Sequence, residues 1–184
     1  MHNSQEHGRL RVFVTVGTDH HPFDRLVAWI EGWLVSRDID NEDCLIQSGT
    51  SRSPTRGGSR PYLTFEEVKR AISSADAIVT HGGPGSIMLS ASFGKVPIVV
   101  PRLSRFGEHV DDHQVVFARR LAEYGDVLLA EDVATLHRTL DSDPNEHATE
   151  VKTSVHVAET VGLFGRLVDG LLLSQKPRRG GEWK

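Results

Sequence analysis

ADAIVTHGGPGSIMLSASFGKVPIVVP, residues 75–101, is the stretch on which the reading of this chain turns. Ala77-Ile78-Val79 and Val96-Pro97-Ile98-Val99-Val100 are apolar runs too short for helices, as expected of central strands buried on both faces of a sheet. Between them His81-Gly82-Gly83-Pro84-Gly85-Ser86 carries three glycines in six residues, directly ahead of a helical segment over 87–93. Glycines let a backbone approach a ligand closely, and free amides at the start of a helix attract anions. The order strand, glycine loop, helix, strand therefore suits a negatively charged ligand. A tight turn with no ligand is the plainer alternative. The loop has neither the Lys-Ser/Thr of a P-loop nor the G-x-G-x-x-G dinucleotide spacing.

Upstream, Val12-Phe13-Val14-Thr15-Val16 predicts a first buried strand that ends in the turn Gly17-Thr18. Pro22 suits the first turn of a helix on which Phe23, Leu26, Val27, Ile30 and Leu34 recur at helical spacing. A second strand is expected at Cys44-Leu45-Ile46-Gln47, then a mobile loop over 48–60 and a brief third strand over 62–65. The loop's arginines, Arg52, Arg56 and Arg60, are either phosphate ligands or solvated. Thr64 and Glu67 match a capping box.

Downstream, Gly94 closes the small helix, and a loop containing Arg102, Arg105 and Gly107 leads to a helix over 112–124. A strand over 127–130, a helix capped by Asp132 and a long helix over 149–174 with a broad apolar face complete the pattern. Strands alternating with helices predict an α/β domain, a Rossmann-like, mostly parallel sheet with helices on both faces. Such sheets bind ligands beyond the carboxyl ends of their strands, where Gly17-Thr18 and the His81 loop both fall. The expected domain spans 11–174, with disordered segments over 1–10 and, basic in character, over 175–184.

The chain's 184 residues suffice for one domain with a sizeable core. Hydrophobic residues make up 38% and charged residues 25%, a folded rather than disordered balance. A net charge of −4 argues against a dedicated nucleic-acid binder. One cysteine, Cys44, rules out an internal disulfide framework and fits a cytoplasmic location. No apolar run approaches the ~20 residues that span a bilayer, so work at a membrane would need another component for recruitment.

Two further histidine groups carry open readings. His109 and His113 lie four apart and could share a helix face with carboxylates nearby, as in a metal site, but no third ligand of clear spacing accompanies them. The expectation is therefore no metal. Asp112-His113-Gln114 at a helix start better suits hydrogen bonds to a polyhydroxyl ligand, with a lone cap as the alternative. His20-His21 is a polar turn or part of the same site.

VFVTVGT with Phe23-Asp24-Arg25-Leu26, ADAIVTHGGPGSI, GKVPIVVP and DHQ, in this order over residues 11–130, resembles the carboxyl-terminal half of GT-B glycosyltransferases of the family 28 type. That type includes the GlcNAc transferase of peptidoglycan precursor synthesis. The opening is similar to the catalytic subunit of the two-part UDP-GlcNAc transferase of N-glycan assembly and its bacterial exopolysaccharide counterparts. The resemblance implies a UDP-sugar as donor substrate, no cofactor and an inverting transfer. It implies that Gly17 and Thr18 face the diphosphate and that His81, as the catalytic residue, joins Gly82, Gly83, Gly85 and Ser86 around the phosphates. His113 and Gln114 match the family's His-Gln pair, with Gln114 expected near sugar hydroxyls.

The family usually has an acidic residue for the nucleotide ribose three positions after the loop serine, and here that position is Leu89. The resemblance covers only the donor half. It therefore implies a membrane-anchored partner subunit with the acceptor domain and leaves self-association open. A non-catalytic nucleotide-sugar-binding module of the same fold is the alternative.

Overall fold

The structure, a computed structural model, describes residues 10–142. The helix expected over 149–174 and the expected basic tail lie outside the described residues. Six strands form one sheet: β1 (Leu10–Thr15), β2 (Cys44–Gln47), β3 (Gly58–Arg60), β4 (Ala75–Thr80), β5 (Ile98–Val99) and β6 (Leu128–Leu129). Their order across the sheet is β3-β2-β1-β4-β5-β6, and every pairing is parallel. Five α-helices connect or follow them: α1 (Asp24–Ser36), α2 (Phe65–Ser74), α3 (Pro84–Ser92), α4 (His113–Glu123) and α5 (Val133–Asp141).

The sheet is buried on both sides, which is why its strands read as continuous apolar runs rather than alternating ones. Val12, Val14, Val79, Ile98 and Val100 face a core completed by α1 and α5 through Leu26, Ile30, Trp33, Leu34, Leu136 and Leu140. On the opposite face Phe13 and Ile78 pack on Ala71 and Ile72 of α2, and Val99 packs with Ile87 of α3 and Phe117, Ala118 and Leu121 of α4. The Rossmann-like expectation holds.

Several local expectations need correction. Leu10 belongs to β1 and not to a preceding disordered segment. Pro22 precedes α1, whose cap is Phe23. The third strand is Gly58–Arg60, inside the expected loop, whereas Thr64 caps α2 and Phe65 begins it. Pairing with β2 creates this edge strand, since its own sequence is polar and lacks a strand's alternation. The capping box is present as expected: the Thr64 hydroxyl accepts from the Glu67 amide, and the Glu67 carboxylate accepts from the Thr64 amide at 2.8 Å. The small helix starts at Pro84, three residues earlier than predicted, so Gly85 and Ser86 lie in its first turn.

The loop arginines serve the fold. Arg52 pairs with Glu31, Arg56 donates to the Ile39 carbonyl at 3.2 Å, and Arg60 pairs with Glu67 at 3.2 Å. Each has an acceptor within the domain.

Candidate functional site

The strand order reverses between β1 and β4, the point at which open α/β sheets leave a crevice at their carboxyl ends. Gly17 follows β1 and His81 follows β4, so the two loops singled out from the sequence meet there. The loop after β1 is fixed from below. Thr15 donates to Gln47 Oε1 at 2.9 Å and accepts from the Gly17 amide at 3.1 Å, so that amide is already spoken for.

His81 is clasped between two glycines. A Cβ on Gly17 would stand 2.6 Å from His81 Cε1, and one on Gly83 would stand 2.4 Å from His81 Nε2. Gly17 also has φ +82, a conformation that side chains disfavour. The glycines at these positions thus make room for an imidazole. Burial, reinforced by the positive charge of Arg102, pushes the His81 pKa down from 6.5 to about 4, so the ring is neutral near pH 7.

This has a consequence for stability. A folded-state pKa below the unfolded one favours the neutral ring, so the contribution is complete above pH 6.5 and is lost as pH falls through 4. The loss over that window is on the order of 2–3 kcal/mol. His81→Gln is expected to flatten the pH dependence of urea unfolding between these limits. An unchanged slope would show that His81 does not titrate there.

Beyond His81, Gly83 caps α3 with no side-chain acceptor for the helix amides, and Pro84 supplies no N–H. The first-turn amides of Gly85 and Ser86 are therefore the anion-ready groups of the loop. The Ser86 hydroxyl is internally engaged: it donates to the Gly83 carbonyl at 2.9 Å and lies 2.6 Å from the Thr80 hydroxyl. Thr18 is exposed beside Gly17.

Gln114 sits in the first turn of α4 and is 8% exposed, and its Oε1 has no hydrogen-bond partner among the described residues. A buried acceptor left so costs about 1–3 kcal/mol until a donor reaches it, which suits a ligand hydroxyl. His113 begins α4, and both its amide and its Nδ1 engage Asp111. His109 lies in the preceding loop, so the expected shared helix face does not exist.

Residues that sequence reasoning did not assign hold these loops together. Arg102 is fully buried and donates to the carbonyls of Val16 at 2.7 Å, His21 at 2.7 Å and Glu108 at 2.8 Å. It ties the loop after β1 to the loop before α4. Arg25 grips Glu108 through two hydrogen bonds of 2.8 and 2.7 Å and the Pro101 carbonyl at 2.8 Å. Asp19 accepts from the His21 amide at 2.8 Å and lies 2.6 Å from His21 Nδ1. An arginine directly after a buried strand and an Asp two residues before a His were the available signals, and neither is specific.

A cavity of about 330 Å³ lies along α4, lined by Arg25, Arg105, Asp112, Val116 and Arg119 among others. It shares no residue with the glycine loop, and the arrangement of backbone and side chains around His81 is the stronger site.

Fold and site together define a doubly wound α/β domain with an anion-ready helix terminus at its switch point. The chain belongs to the family described as the glycosyltransferase family 28 C-terminal domain, which it matches over residues 11–159. Among solved structures it is similar to CalG4, the calicheamicin glycosyltransferase, with a TM-score of 0.57 at 12% identity over 96% of this chain and 46% of that one. It is also similar to MurG of Acinetobacter baumannii, with a TM-score of 0.53 at 19% identity over 85% of this chain and 50% of that one. The chain thus spans about half the length of these proteins, and the likeness at this identity is one of fold. No curated protein matches it. Among the described residues no helix is long and apolar enough to cross a membrane.

Proposed function

We propose that this chain is the donor-binding, catalytic subunit of a two-component glycosyltransferase. It transfers a sugar from a UDP-sugar, with inversion, to a lipid-linked or polysaccharide acceptor. The observation that carries this reading is His81 held between Gly17 and Gly83 beside the uncapped amides of Gly85 and Ser86. When an acceptor hydroxyl attacks the anomeric carbon, the bond to the diphosphate breaks and the leaving group gains negative charge. Amides fixed in place beforehand stabilise that charge without reorganising. A neutral His81 donates one hydrogen bond to a phosphate oxygen, and Gln114 accepts one from a sugar hydroxyl. The acceptor half, anchored at the cytoplasmic face of a membrane, comes from a partner subunit, as in the two-part UDP-GlcNAc transferases that the chain's opening resembles.

Isothermal titration of the full chain with UDP and UMP tests the diphosphate reading. UDP is expected to bind at least tenfold more tightly, because only it offers a second phosphate. A folded protein that binds no nucleoside diphosphate would sink the proposal.

One observation favours a second reading, a binding module without turnover. Leu89 packs against the core formed by Phe13, Ala71, Ile72 and Ile78, so the position expected to recognise ribose is a packing position. Sugar transfer by the chain reconstituted with an acceptor subunit, and lost in His81→Ala, would exclude that reading.

A further inference from the structure

The loop between the Ser104–Phe106 turn and α4 brings together three metal-binding side chains that the family match does not assign. We propose that His109, Asp111 and His113 bind one divalent transition-metal ion, of the zinc or cobalt class, at the mouth of the site. His109 Nδ1 lies 3.5 Å from Asp111 Oδ1, and His113 Nδ1 contacts the same oxygen. One ligand atom from each of the three falls within 4.8 Å of the others. In a tetrahedral site with bonds near 2.0–2.1 Å, donor atoms stand about 3.3–3.4 Å apart. The first pair already has that spacing, and a side-chain rotation of His113 provides the second. The two rings meet edge to face, 4.8 Å between centroids, so neither blocks the other's nitrogen.

An ion would replace the hydrogen bonds that the two imidazoles now make. The Asp111 amide donates to His109 Nδ1 at 3.4 Å, which places a lone pair on that nitrogen and the ring proton on Nε2. Nε2 in turn faces Asp19 Oδ2 at 3.9 Å. A carboxylate behind the far nitrogen is the arrangement that orients imidazole ligands and raises their basicity. The supporting loops are rigidly joined, since the buried guanidinium of Arg102 bonds the carbonyls of both His21 and Glu108.

Two imidazoles and one carboxylate select zinc, cobalt or nickel over magnesium or calcium, which take oxygen ligands. The neighbouring group of Asp19, His20 and His21 is the weaker candidate, because His20 is largely exposed. Three protein ligands leave a coordination position open. His109 Nε2 lies 3.9 Å from Asp19 in the loop that follows Gly17 and Thr18, so an ion there adds positive potential beside the anion loop. That last consequence rests on the proposed function, whereas metal binding does not.

The test uses the full chain, stripped with chelator and titrated with Zn2+ by calorimetry and with Co2+ by visible absorption. One equivalent is expected to bind, with the intense bands of four-coordinate cobalt and no comparable uptake of Mg2+. His109→Gln and His113→Gln are each expected to weaken binding at least 100-fold, and Asp19→Asn by 10–100-fold. His20→Gln should change nothing. The proposal is overturned by the absence of stoichiometric uptake, or by uptake that survives the double variant His109→Gln/His113→Gln with its thermal unfolding intact. UDP titration of the metal-free chain runs beside it. UDP binding without metal uptake removes the metal site alone, and metal uptake without UDP binding removes the donor-site reading alone.

Discussion

Gly83→Ala is expected to lower affinity for UDP at least 100-fold while leaving the domain folded. The backbone at Gly83, with φ −67 and ψ 133, is one that alanine adopts without strain, so the substitution acts through its methyl group. That methyl would stand 2.4 Å from His81 Nε2 and 2.9 Å from Cε1, well inside contact distance. On its other side the ring faces Gly17, where an added Cβ would stand 2.6 Å from Cε1. His81 must leave its position, and the loop amides next to it must shift with it. A 100-fold loss of affinity corresponds to about 2.7 kcal/mol. Gly32→Ala on α1 is the matched control, since its Cβ would meet only His137 Cε1, at an ordinary contact distance of 3.9 Å, and alanine favours the helix. Calorimetric titration with UDP and thermal unfolding of both variants decide the matter. Binding by Gly83→Ala within threefold of the parent chain would show that the clasped histidine does not define the site.

The second large effect is on stability. Arg102→Met should cost on the order of 3–5 kcal/mol in urea unfolding, the range for breaking a buried charged network. The guanidinium is fully enclosed and lies 4.8 Å over the Phe23 ring, and its two terminal nitrogens satisfy three carbonyls from two separate loops. Methionine fills the volume but leaves those carbonyls without donors. Arg102→Lys should recover only part of the loss, because a single ammonium cannot reproduce the fork. Burial lowers the Arg102 pKa, and the negative charges of Asp19 and Glu108 oppose this. A cost below 1 kcal/mol for the methionine variant would mean that the loops are held by other contacts.

The strands and helices that carry the core were legible because each is signalled locally. β1, β2 and β4 read as short apolar runs, and Thr64 with Glu67 wrote a helix start into four residues. β3 was misplaced because an edge strand of Gly-Ser-Arg exists only through the partner that pairs with it. For the arginines of the same loop composition left phosphate ligation or solvation open, and the structure gives each an acceptor within the domain. The histidines at 109 and 113 suggested a helical pair by spacing, yet only His113 is helical, and Asp111 joins them through the loop.

By itself the sequence determined the α/β class, the family-type motifs and the glycine loop, since all of these depend on residues near one another in the chain. The tertiary structure alone decided that Gly17 and Gly83 close on opposite sides of one imidazole and that Arg102 joins loops more than 80 residues apart. It also decided that Leu89, partly buried, packs against the core. Such relations arise where the parallel sheet brings separate strand ends side by side. No local pattern in the chain encodes which side chains will then meet.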